Sequence, residues 1–195
     1  MKSLIAKSSL NEKKAHSIPI KDLFCTFKQV DQNGHRNVAM VTESIKKEGL
    51  RYPIICWTIT PDDVESSKGE SIPTEFRDRD GKVNKPNKRK WLLLHTISQL
   101  KIYNKNFLNN FPDCFDKEGS LTKKVVYVVF SGGCRISAAE NLGYDMIDSI
   151  VYDSVYLYDD MLRISWISDS EWPRPDLKYS RRKWLKDQLR KGINA

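Results

Sequence analysis

The residues best placed to do chemistry are consecutive: Ser131, Gly132, Gly133, Cys134 and Arg135. A continuous apolar run, Val125 to Phe130, leads into them, and a segment with two alanines, Ile136 to Leu142, leaves them. The first flank reads as a buried strand, the second as a short helix closed by Gly143. A glycine turn between a strand and a helix N-terminus presents outward N–H groups, and the helix dipole favours negative charge there. Gly132 and Gly133 permit positive φ or a close approach of backbone to ligand. Arg135 falls in the first helical turn, where a cation opposes the dipole, so an anion or a buried carboxylate is its expected partner. Cys134, at the same terminus beside Arg135, is expected to have a lowered thiol pKa. Three uses of the turn therefore stand open: a phosphate cradle, the seat of a reactive thiol, or a tight structural corner.

The elements that must position this turn are legible from periodicity. Ile18, Ile20 and Leu23 around Pro19 suggest a short edge strand. Asp31 to Asn37, DQNGHRN, has turn chemistry. Val38, Val41 and Ile45 lie at helical spacing, with Asn37 as N-cap and Gly49 just past the end. YPIICWTI is β-branched and aromatic, hence a strand. From Pro61 to Arg89 the chain is polar, with a hairpin signal at Asp80-Gly81, a ribbon or a surface insertion. Leu94, Ile97 and Leu100 mark a second long helix, and 109–124 reads as a loop. MIDSIVYDSVYLY, from Met146, is the last strand. In it 145 and 153 share one parity and Asp148 has the other; all three carboxylates are expected to be solvated. Short helices alternating with short strands argue an α+β (α/β-like) domain with a small mixed sheet. Residues 1–16, Lys- and Ser-rich without periodicity, read as a flexible tail. Residues 17–153 read as the domain, with an insertion at 61–124, and 154–195 as a C-terminal extension with a basic helix.

Two blocks, IPIKDL…NGHRN…VAMVTESIKKEGLRYPIICW and FSGGCRISAAENLGYDMIDSIV, resemble the ParB/sulfiredoxin-like fold family over about residues 17–60 and 125–153. That family includes ParB N-terminal-like nuclease and nucleotide-binding domains. In it a Gly-rich box and its helix grip nucleotide phosphates, with a polar loop nearby. The resemblance implies a ParB/sulfiredoxin-like core and a nucleotide or other phosphate ligand, ATP or CTP with magnesium. It implies binding by Ser131, Gly132, Gly133, Cys134 and Arg135 from the box and by Asn33, His35 and Arg36 from the loop. Three activities go with it. A nucleotide-dependent hydrolase or phosphotransferase needs a general base, for which Asp31 or Glu43, each shifted from the family's loop carboxylate, is the candidate. A DNA-associated, ParB-like accessory or regulatory protein acts through binding. A sulfiredoxin-like thiol enzyme uses Cys134, since sulfiredoxins carry G-G-C-H-R where this chain reads G-G-C-R-I.

Charge bears on the partner. The formal net charge is +8 and the pI about 9.2, which fits a polyanion. A basic C-terminal helix offers Arg181, Arg182, Lys183, Lys186 and Arg190 to a nucleic-acid backbone; packed through Trp184 and Leu189, it is only a solvated basic face. KVNKPNKRK adds Lys82, Lys85, Lys88, Arg89 and Lys90 as a second basic patch or a surface loop. Cys25, Cys56, Cys114 and Cys134 are scattered, with no CxxC and no Cys/His cluster, so no structural zinc is expected and no metal ligands are assigned. With no signal-peptide or membrane-spanning run, the expected location is cytoplasmic. Oligomeric state is not legible.

Overall fold

The sheet is organised around Ile54–Ile59, IICWTI, in which every residue is buried. A strand buried on both faces needs cover on both, and the alternation of its side chains divides the core in two. Ile55, Trp57 and Ile59 point into one cluster, Ile54 and Cys56 into the other. In the computed structural model, residues 2–6, 14–25, 32–73, 85–106, 114–157 and 159–163 are described, the side chains of 32–37, 85–87 and 103–106 excepted.

The strands are β1 (Ser3–Leu4), β2 (His16–Pro19), β3 (Leu23–Phe24), β4 (Ile54–Ile59), β5 (Val126–Ser131) and β6 (Met146–Tyr152). They form one mixed sheet in the order β1-β6-β4-β5-β3, with β2 pairing antiparallel to β6. The central strand β4 runs parallel to β6 and antiparallel to β5. The helices are α1 (Gln32–Glu48), α2 (Pro61–Ser66), α3 (Lys85–Asn106) and α4 (Gly133–Asn141). The mixed sheet and short helices are the α+β arrangement expected.

One face of the sheet is covered by α1 and α4, whose Val41, Ile45, Ile136, Ala138 and Ala139 close on Ile54, Cys56 and Ile147. The two alanines are fully buried, and their small side chains let α4 lie close to the sheet. The other face is covered by α3, through Leu93, Ile97 and Leu100, and by Val155 and Met161 beyond β6. The segment read from sequence as an insertion at 61–124 thus supplies, in its described parts, the second layer of the core, through Val64, α3, Cys114 and Leu121. Its polar start hides this: Pro61 opens α2 behind a Thr60 capping box, in which Asp63 N–H donates to Thr60 Oγ1 and Thr60 N–H to Asp63 Oδ2. Residues 74–84, with the expected hairpin at Asp80-Gly81, lie outside the described residues.

Two further boundaries and one side chain's burial differ from the sequence reading. Residues 3–4 of the expected tail form β1, parallel to β6, with Leu4 buried. Two residues are too few to show a period, so tertiary pairing decides. The 31–37 turn is helical from Gln32 on, because the buried Val41–Ile45 face carries α1 through weak helix formers upstream. Asp148, expected to be solvated, is only 9% exposed and accepts the Ala6 N–H at 3.0 Å, so it binds the N-terminal strand. Gly49 (φ 77) and Gly143 (φ 70) end α1 and α4 as expected.

Candidate functional site: the turn from β5 into α4

Strand β5 delivers the turn through an irregularity. Cys56 pairs with Val129, but the neighbouring Ile55 pairs with Ser131, leaving Phe130 as an extra residue on β5. Such a bulge bends a strand and re-aims the residues beyond it. Gly132 comes next, with φ 115 and ψ 16, and is the N-cap of α4. Its carbonyl accepts the N–H groups of Arg135 (2.8 Å) and Ile136 (3.0 Å), which starts the helix within one residue of the strand. Gly132 has no side chain with which to cap α4, and the helix's first turn holds no acidic residue. The positive end of the dipole is therefore unmatched by any side chain of the helix's own first turn.

Glycine at 132 is demanded by packing as well as by φ. A Cβ there would stand 2.6 Å from Ile54 Cγ2, 2.9 Å from Ile54 Cβ and 3.3 Å from Arg135 Nε. The turn is thus wedged against the start of β4. Arg135 completes the wedge. The residue is 7% exposed, and its Nη1 donates to the carbonyls of Pro53 (2.7 Å) and Tyr52 (3.1 Å). These bonds tie the α4 terminus to the backbone entering β4, and each is of the charge-assisted class worth about 1.5–3 kcal/mol. This geometry accounts for a cation held against the helix dipole: Arg135 positions the turn. Ile54 and the two carbonyls lie some eighty positions upstream of the turn in sequence, and no local signal pairs them with it.

The other residues singled out from sequence are distributed over several elements. Ser131 ends β5, and Gly133, half-buried, is the first residue of α4. Cys134 is half-buried in the first turn and packs at the border of the α1/α4 cluster. Asn33, His35 and Arg36 lie in the first two turns of α1, their side chains outside the described residues. Glu43 is exposed on α1, between the buried Val41 and Ile45. Arg181, Arg182, Lys183, Lys186 and Arg190 lie outside the described residues. Among the described residues no group of three or more His, Cys, Asp or Glu could hold a metal ion, and no helix is long and apolar enough to cross a membrane.

The cysteines differ in chemistry. Cys56, fully buried in β4, has its pKa raised from 9.0 to about 12, chiefly by loss of solvation and against a lowering hydrogen bond with Ser149. A thiol so protonated is inert near neutral pH. Cys134, in the first turn of α4, is by contrast partly accessible.

No protein-family model matches the chain, and no curated protein matches it. Among solved structures, a sulfiredoxin from Arabidopsis thaliana is similar over 77% of this chain and 98% of that one, with 14% identity and a TM-score of 0.36. A likeness of that size decides neither the fold family nor the chemistry.

Proposed function

We propose that the chain binds a phosphate-bearing small ligand, a nucleotide such as ATP or CTP, at the N-terminus of α4. One observation carries the reading: α4 begins on a left-handed glycine, which has no side chain to cap it, holds no acidic residue in its first turn, and is clamped in place by Arg135. Backbone donors held rigidly at the positive end of a helix favour an anion, and rigidity lowers the entropy lost on binding. Magnesium would have to be held mainly by the nucleotide's phosphates, since the turn brings no carboxylate of its own. Whether phosphate is then transferred depends on a base, and Glu43 is the candidate.

The test is a thermal-shift and calorimetric screen of ATP, CTP and inorganic phosphate, with and without magnesium, against the chain and its Gly133→Glu variant. A carboxylate at the first helical position suits the dipole and would occupy the anion site, and circular dichroism checks that the variant is folded. Ligand binding by the parent chain and its loss in Gly133→Glu support the reading. No binding by the parent, or equal binding by both, ends it. Arg135→Ala discriminates poorly, because it removes the clamp as well as a cation.

A second reading, thiol chemistry at Cys134 as in a sulfiredoxin-like enzyme, draws on that residue's place in the same first turn. It requires rapid alkylation of Cys134 near pH 7 in the native chain; labelling no faster than that of an unfolded thiol excludes it.

A further inference from the structure

Helix α3 carries Lys85, Lys88, Arg89, Lys90, Lys101 and Lys105 and no Asp or Glu. The run 88–90 lies in its first two turns, where the dipole disfavours positive charge. Leu93, Leu94, Ile97 and Leu100 of the same helix are buried, and Lys88, Trp91 and His95, at helical positions on the opposite side, are half-buried. On that side the rings of Trp91 and His95 stack, with centroids 4.7 Å apart and planes 8° from parallel. Lys88 Nζ stands 4.3 Å from the centre of the Trp91 ring. Lys90 pairs with Glu70, and Glu70 also lines a groove of about 320 Å³ between α2 and α3. Buried Val64, Leu94 and Ile97 line it too, with exposed Lys68 and Lys101. Lys88 thus adjoins the aromatic pair, and Lys90, through Glu70, adjoins the groove, all along one helix.

We propose that this α2–α3 surface binds single-stranded nucleic acid, with phosphates on the lysines and bases against the aromatic pair and in the groove. Charge complementarity names the partner: a helix with six cations and no carboxylate, in a chain of net charge +8. The aromatic pair and the apolar groove select single strands, because only unpaired bases expose faces to stack or edges to insert. The pair Lys90–Glu70 lies at the surface, where ion pairs are weak and exchange readily for a phosphate, whereas Arg89 is half-buried against Asp159. The surface is built on elements other than α4, so it stands or falls independently of the ligand site there.

The experiment is fluorescence polarisation with labelled oligo-dT, oligo-U and a duplex of equal length, using the full chain over a series of salt concentrations. Single strands are expected to bind more tightly than the duplex. The logarithm of the binding constant should fall linearly with log salt, with a slope of about −0.7 per phosphate neutralised. A preference for oligo-U or for oligo-dT supports the proposal and decides between RNA and DNA. The pair Lys88→Glu and Lys90→Glu should weaken binding at least tenfold and flatten the slope. Trp91→Ala should weaken it roughly five- to a hundredfold at unchanged slope. Circular dichroism checks that each variant folds, and where Trp91→Ala does not, His95→Ala replaces it. The control is Lys46→Glu with Lys47→Glu at the exposed end of α1, an identical change in net charge. Equal weakening by the control, binding of duplex as tight as single strand, or indifference to the aromatic variants overturns the proposal.

Discussion

Replacing Gly132 by alanine tests the geometry on which the α4 site rests. Two costs add. The first is backbone: an L-residue at positive φ loses roughly 1–2 kcal/mol. The second is steric, because the new methyl would meet Ile54 Cγ2 at 2.6 Å and Ile54 Cβ at 2.9 Å. Rotation about χ1 can move Cγ2 but leaves Cβ where it is, and Ile54 is fully buried in the central strand. The strand or the helix must therefore shift, and overpacking of this kind costs about 1–3 kcal/mol. The expected total is roughly 2–5 kcal/mol, or a fall in Tm of about 4–20 °C for a chain of this size. Gly143 is the internal control. It too has positive φ, 70, but no atom lies within 4 Å of its would-be Cβ, so Gly143→Ala carries only the backbone cost. Urea unfolding of both variants, with unchanged m-values, isolates the steric difference. A double-mutant cycle with Ile54→Ala should show coupling above about 0.5 kcal/mol. If Gly132→Ala costs no more than Gly143→Ala and the cycle shows no coupling, the turn is not wedged against β4, and the rigid-cradle argument fails with it.

The packing implies three other outcomes. Cys56 stays protonated in the folded chain up to about 12 while an unfolded thiol ionises near 9.0, so the stability it contributes is complete below pH 9 and declines as pH rises toward 12; urea titrations of the parent chain should show a steeper decline over that window than those of Cys56→Ala. Removal of residues 1–6 withdraws buried Leu4 and the Ala6 N–H from Asp148, for an expected loss of about 2–4 kcal/mol, whereas a flexible tail would leave the unfolding midpoint unchanged. Ile97→Ala in α3 should cost about 2–5 kcal/mol in the same assay, and a value below about 1 kcal/mol would show that 61–124 is not part of the core.

Much of the fold was legible because the signals are local. Continuous apolar runs marked β4, β5 and β6, and helical spacing with closing glycines marked α1 and α4. The signals gave out where an element is too short to show a period, as in β1, or where its polar surface conceals the buried side. Helix α3 is an example: Leu94, Ile97 and Leu100 marked it as a helix, but the run of cations at its start gave no sign that it covers the second face of the sheet. Sequence order also misled. A segment between two sheet strands looks like an insertion until the second face of the sheet is seen to need cover.

By itself, the sequence determined that a strand, a glycine turn and a helix succeed one another at 126–141, because apolar periodicity and backbone freedom are properties of neighbouring residues. It equally determined that the chain is basic and that α3 has no acidic residue. Tertiary structure alone decided what Arg135 does. Its partners, the carbonyls of Tyr52 and Pro53, lie about eighty residues away and belong to backbone, which carries no residue-specific signal. Only the closing of β4 beside β5 brings them within reach, and with them the Ile54 side chain that makes Gly132 obligatory.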